Sequence, residues 1–398
     1  MSIKPKNVKS LTKVPKIIWW CLSVIYASSA IADELDTFQF NASLNKTFDN
    51  NIFRQSSNEI SDQVTVLNTG LKVDKSYSLQ RLVADFNVVD RSYNQSQFLD
   101  FTAKNYDINW YWSLTPSFTG IIEVEQNQSM VDFRNFSATR RNIRTNKSKK
   151  IHLKYSPHQS LSFLAGVSRT DRNNSSTFNE EAGFETLGVD YGIDYKFRSG
   201  LSVGFLIQRR DADYADRQVN PQLAFDRGYQ EREYEIHFSS PADSLHQLKG
   251  SLSRKEREFD TFSLRDYSGS VGELTYSCFV TGKLKVSADI SRTISPFERF
   301  DSTFSQTDAF QSSLTYYISD KIQIGALGRI SDRDFKGRGQ FSLSGRSDLE
   351  HSYSGYVNWK PTRYASFNIN IVKSDRESTV NFFDFDDRLV SVGVELSL

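Results

Sequence analysis

Leu187-Gly-Val189-Asp-Tyr191-Gly-Ile193-Asp-Tyr195-Lys-Phe197 has an apolar side chain at every odd position and Gly188, Asp190, Gly192, Asp194 and Lys196 at the even ones. Successive side chains of an extended strand point to opposite faces, so this stretch reads as one strand with an apolar face and a polar face. Arg198-Ser-Gly200 follows as a tight turn. Leu201-Ser-Val203-Gly-Phe205-Leu-Ile207-Gln then alternates again, which makes the pair a hairpin.

The unit recurs along the chain. Ile151, Leu153 and Tyr155 run into Ser156-Pro157, and Leu161, Phe163, Ala165 and Val167 run out. Phe310, Leu314, Tyr316 and Ile318 precede Ser319-Asp320. Tyr353, Val357 and Trp359 precede Pro361-Thr362, and Val390, Val392, Val394, Leu396 and Leu398 alternate at the end. Short breaks near 74–76, 115–117, 156–160, 198–200, 241–245, 281–283, 319–320 and 360–362 alternate with long polar stretches near 50–62, 90–97, 127–147, 171–184, 211–228, 258–266, 292–307, 332–348 and 374–387. The spacing predicts an all-β, antiparallel up-and-down barrel of about 18 strands (16–18), with both chain ends on the short-turn side. Segments 63–73 and 267–280 alternate weakly.

A soluble β-sandwich would mix connection lengths and would show fully buried strands. A lipid-embedded barrel needs closure and an apolar outer wall, which the pattern supplies. Trp110, Trp112 and Trp359 all fall close to short turns, as expected of rings at a membrane–water boundary. The 398 residues are 38% hydrophobic, 13% aromatic and 24% charged, too polar for a bundle of apolar helices and too aromatic for a disordered polymer. Lys4, Lys6, Lys9, Lys13 and Lys16, then the apolar run Ile17–Tyr26 and Ala30-Ile31-Ala32, form a cleavable signal peptide over residues 1–32, with the barrel over 33–398 and an outer-membrane location. Without those five lysines the chain carries 44 basic and 48 acidic residues, so charge gives no reason to expect a nucleic-acid partner. The only cysteine after the leader is Cys278, which excludes an internal disulfide there.

No catalytic site, metal or cofactor is expected. The histidines His152, His158, His237, His246 and His351 lack ligand spacing, and no nucleophile elbow or phosphate-binding loop occurs. The polar face is the informative one. Lys154, Asp190, Asp194, Lys196, Arg210, Glu233, Glu235, Lys249, Lys255, Lys285, Asp289, Arg329 and Lys360 are expected to line a hydrated lumen. Arg134, Arg140, Arg141, Arg144, Lys147, Lys149 and Lys150, with no acid among them, read as a basic outer loop that binds lipopolysaccharide phosphates or guides an acidic polymer. The first strand begins within a few residues of the predicted cleavage site, which leaves no room for an N-terminal plug.

Asp36-Thr37-Phe38, followed by Phe48-Asp49-Asn50-Asn51-Ile52-Phe53-Arg54, resembles the N-terminal signature of the EpsL family of exopolysaccharide-biosynthesis outer-membrane barrels. Phe48 replaces a tyrosine and Asn50 an aspartate, and the motif covers about twenty residues. The resemblance implies polysaccharide export, with the polymer as cargo and periplasmic export and polymerisation proteins as partners. It also implies that Asn51, Phe53 and Arg54 order the first outer loop. Barrel assembly machinery and outer-membrane lipid are partners that the fold itself requires. The closest rival function is a general or sugar-selective diffusion porin; an enzyme and a purely structural barrel are the other readings.

Overall fold

The computed structural model describes residues 37–134, 139–176, 183–214, 217–222, 225–296, 302, 304–337 and 345–398. The expected leader, 1–32, lies outside them. The strands are β1 Phe38–Asp49, β2 Asp62–Tyr77, β3 Gln80–Tyr93, β4 Phe101–Thr115, β5 Phe118–Met130, β6 Ile143–His158, β7 Leu161–Asn174, β8 Phe184–Lys196, β9 Ser202–Asp213, β10 Gly228–Ser239, β11 His246–Phe259, β12 Tyr267–Phe279, β13 Leu284–Pro296, β14 Phe304–Ser319, β15 Ile322–Lys336, β16 Ser347–Thr362, β17 Ala365–Ser378 and β18 Phe385–Ser397. Each pairs antiparallel with its sequence neighbours, and β18 pairs with β1 from Asn41↔Ser397 to Asp49↔Leu389. The 18-stranded sheet is therefore closed and has no free edge, as a barrel in lipid requires.

Register sorts the side chains. Tyr195, Ile193, Tyr191, Val189 and Leu187 of β8 sit opposite Leu161, Phe163, Ala165, Val167 and Arg169 of β7. Leu187, Val189, Tyr191, Ile193 and Tyr195 are all exposed, as are Phe163 and Val167. This is an apolar outer wall that faces lipid. Trp359 of β16 lies opposite Phe367 of β17, with ring centroids 5.3 Å apart and planes nearly parallel, and Trp110 sits outward near the β4–β5 turn. Both belong to the aromatic girdle on the short-turn side.

The strands run further than their alternation suggested. The expected breaks at 74–76 and 360–362 lie at Ser78–Leu79 and Arg363–Tyr364 instead. On the long-loop side β5 continues to Met130 and β15 to Lys336, well into stretches expected to be loop. Above the apolar band both strand faces are polar, so period two loses its contrast although the backbone ladder continues. The weak segment in β2 has a different cause. Val64 and Val66 are apolar on the inner face because they pack against a cluster of Ile52, Phe53, Tyr93 and Leu99 at the mouth.

Candidate functional site

The inner face splits into two walls. From β5 to β11 it is charged. Glu231 of β10 is 4% exposed and accepts from Arg210 of β9 at 3.0 Å and from Arg257 of β11 at 2.5 Å, with Lys255 3.7 Å away. Glu233 reaches the same Lys255 at 3.2 Å and Arg210 at 3.5 Å. The Arg257 guanidinium carbon sits 3.7 Å from the Tyr229 ring centroid, a cation–π contact that adds to its burial. Two histidines bridge carboxylates along the same wall. His237 Nε2 meets Asp194 at 3.0 Å and its Nδ1 meets Glu235 at 3.2 Å, while His152 stands 3.6 Å from both Glu123 and Asp190.

Glycine makes those bridges possible. Gly204 lies between Asp194 and His237 in register, and a Cβ there would come within 2.1 Å of the Asp194 carboxylate. Gly166 does the same for His152 and Asp190. Without a Cβ on the intervening strand, these side chains two strands apart can reach each other.

From β14 round through β18 to β4 the middle of the wall carries amides and hydroxyls, while toward the mouth buried ion pairs join Asp348 to Arg346 and Arg376, and Asp387 to Arg54. Thr315 and Tyr356 hydroxyls are 3.0 Å apart, Gln323 donates to the Tyr356 hydroxyl at 3.2 Å, and Ser352 pairs with Ser374 at 3.2 Å. Here too glycine is the spacer. Gly70 lies between Asn41 and Asn87, and Gly393 between Asn45 and Asn368. A Cβ at Gly70 would meet both asparagine oxygens at 2.4 Å. Tyr356, Asn358, Asn368 and Asn370 line a recess of about 450 Å³ together with Lys360 and Glu395.

A loop enters the lumen between the walls. Arg134, four residues beyond β5, donates to Glu350 of β16 at 2.7 Å, and Arg376 of β17 donates to the Arg134 carbonyl at 2.6 Å and to Glu350 at 3.1 Å. The shorter way round the closed sheet from β5 to β16 crosses six strands, β4, β3, β2, β1, β18 and β17, and Glu350 faces inward, so the contact crosses the barrel rather than following its wall. Phe133 packs edge-on to Phe53 at 4.9 Å, tying this loop to the first one. A further mouth cluster stands over β9–β11. Asp226 accepts from the Thr261 and Phe262 amides, and burial, followed by the nearby Asp226 and Asp213 carboxylates, raises the pKa of Asp260 in the β11–β12 loop.

Strand pairing puts each expected lumen residue on the face opposite the apolar band. Arg210, Glu233 and Lys255 join the Glu231 network, and Asp190, Asp194 and Glu235 meet the histidines. Asp289 accepts from Thr275 at 2.8 Å. Lys154, Lys196, Lys249, Lys285 and Lys360 gather toward the short-turn end, and neither they nor Arg329 have a carboxylate within 4 Å among the described residues. Glu231 and Arg257 continue the parity of Glu233 and Lys255 and were legible by extending the alternation. The contact between Arg134 and Glu350 spans 216 positions and leaves no sequence signal.

The seven-residue basic run is not one loop. Arg134, Arg140 and Arg141 precede β6, whereas Arg144, Lys147, Lys149 and Lys150 belong to it, and register turns Arg144 and Lys150 inward and Lys147 and Lys149 outward. The run looked like loop because its polar residues occupy both faces of a strand above the apolar band. The first-loop motif forms a clasp at the barrel seam. Phe48 faces outward, and Asp49, Asn51, Ile52 and Phe53 are buried. Arg54, at φ 54°, pairs with Asp49 at 3.0 Å and with Asp387 of β18 at 3.2 Å, and the Asn51 amide donates to the Gln55 and Asp386 carbonyls.

Among solved structures the chain is similar to OccK1 (OpdK) of Pseudomonas aeruginosa, with 12% identity and a TM-score of 0.52 over 91% of this chain and 99% of that one. It is also similar to OccK2 (OpdF) of the same organism (10% identity, TM-score 0.54, 91% and 96%) and to a BenF-like porin from Pseudomonas fluorescens Pf-5 (11%, 0.55, 92% and 100%). No protein-family model and no curated protein matches. The likeness defines the fold: a closed 18-stranded antiparallel β-barrel of the kind seen in outer-membrane porins. These neighbours overturn the resemblance to the EpsL family, and the exopolysaccharide role it implied finds no support. The physical reason lies in the clasp, whose residues fasten β1 to β18, a task set by barrel closure that carries no information about cargo.

Proposed function

We propose that the chain is a diffusion porin for small hydroxylated solutes that carry a carboxylate, sugar acids being the class its lumen fits. The observation that carries this reading is a lumen with amides and hydroxyls on one side, Lys360 among them, and further lysines toward the short-turn end that have no carboxylate within 4 Å among the described residues. Asn and Ser side chains exchange hydrogen bonds with sugar hydroxyls at little cost, and free ammonium groups attract the acid. The contact between Arg134 and Glu350 holds the chain beyond β5 against the opposite part of the wall, an arrangement that would favour small solutes over a hydrated polymer. Two of the similar structures contain carboxylates, OccK2 with glucuronate and OpdK with vanillate. Liposome swelling with the purified protein tests the proposal. Glucuronate should enter faster than glucose, and dextran oligomers should be excluded; equal rates for glucuronate and glucose would sink the acid preference.

A further inference from the structure

The outer wall changes character abruptly on the long-loop side, and there the register sets like charges directly against each other. Lys149 of β6 stands opposite Arg169 of β7, Arg209 of β9 opposite Arg232 of β10, and Lys373 of β17 opposite Arg388 of β18. All six are exposed on the lipid-facing side. The residue pairs one step nearer the membrane centre are Ile151/Val167, Ile207/Tyr234 and Ile371/Val390, so each cation pair sits at the edge of the apolar band. Like charges directly across an antiparallel ladder are destabilising, and three such pairs at one level need an external counter-charge.

The protein supplies little of it. Arg209, Arg232 and Lys149 have no carboxylate within 4 Å among the described residues. Lys373 and Arg388 share the single carboxylate of Asp386, at 3.7 and 3.8 Å. Only Arg169 is well paired, with Glu185 at 2.7 Å. Each pair presents two cations side by side above an apolar surface, the pattern that a phosphate on an acylated anchor complements. On such a surface acyl chains would lie on the apolar residues while a phosphate bridged the two cations by charge-assisted hydrogen bonds.

We propose that these three cation pairs are binding sites for the phosphates of the phosphorylated glycolipid of the outer leaflet, one at each of the β6–β7, β9–β10 and β17–β18 ladders. The proposal rests on the outer wall and is independent of which solute the lumen passes.

The test uses the full-length refolded barrel in a neutral detergent. Hexa-acyl bisphosphorylated lipid A should raise the thermal midpoint and remain bound in native mass spectra, and the same lipid without phosphates should do neither. The variant R209Q/R232Q/K149Q/K373Q should lose both effects. In detergent without lipid this variant should unfold at a higher temperature than the native protein, because the repulsion is gone. Inorganic phosphate alone should leave the midpoint unchanged. An equal shift from phosphate alone or from phosphatidylglycerol would overturn the assignment to a glycolipid. Retained lipid A binding by the variant, or lower variant stability in plain detergent, would overturn the sites themselves.

Discussion

The two lumen walls use the same backbone device for opposite ends. On the charged wall, Gly166 and Gly204 let aspartate reach histidine two strands away, and these carboxylate–imidazole contacts join the ion pairs of Glu231 in filling the wall with its own partners. On the amide wall, Gly70 and Gly393 bring asparagines together as neutral groups that can exchange one hydrogen bond for another. Charge fixed by charge is rigid and costly to disturb, whereas an amide surface is soft and costs little to rearrange. The first wall should therefore carry stability, and the amide and hydroxyl middle of the second recognition.

The sharpest way to break that division is at Glu231. Glu231→Gln leaves the buried Arg257 guanidinium without its carboxylate, and loss of one partner of a buried pair costs about 3 kcal/mol. Urea unfolding in lipid vesicles should show that loss, while Asn368→Ala on the amide wall should stay within about 1 kcal/mol. Equal losses would erase the contrast. Next comes the bridge between walls. Arg134→Ala should change stability by less than about 1 kcal/mol, because its side chain is 30% exposed, yet it should raise single-channel conductance by freeing the loop. Unchanged conductance would mean that the bore is set elsewhere.

A smaller effect is expected at Gly393. The Cβ of Gly393→Ala would press on Asn368 and Asn45, whose flexible ends must turn away, at about 1 kcal/mol of stability. Glucuronate flux should fall more than chloride conductance; parallel changes would point to a merely narrower pore. The smallest concerns the mouth over the charged wall. The folded-state pKa of Asp260 is raised, so its ionised form costs stability at neutral pH and the cost disappears once pH falls below the unfolded carboxylate value, near ~4. Asp260→Asn should thus raise the melting midpoint slightly at pH 7 and leave it unchanged at pH 3.

Sequence pattern reached the outer wall and its inward complement wherever one face was apolar and the other polar. Leu187 to Phe197 needed nothing more, and closure into eighteen strands followed from the alternation of short and long connections. Above the apolar band the contrast vanishes, and Lys147 to Lys150 read as loop although they form one strand with two faces. The pairing of Arg134 with Glu350 was out of reach because nothing local encodes which wall an inward loop will touch. The motif from Phe48 to Arg54 was visible, but its job is to fasten a seam, and reading cargo into it was the error.

That clasp has a consequence for how the barrel is made and lost. The ring can close only when the last strand has arrived, since Arg54 and Asn51 find Asp387 and the Asp386 carbonyl on β18. Until then Arg54 holds a left-handed backbone for Asp49 alone. Biogenesis thus ends on a latch assembled from both ends of the chain, and opening of the barrel at this seam requires the same latch to be lifted. Weakening it should shorten the lifetime of the closed barrel far more than it alters the equilibrium between folded and unfolded chains.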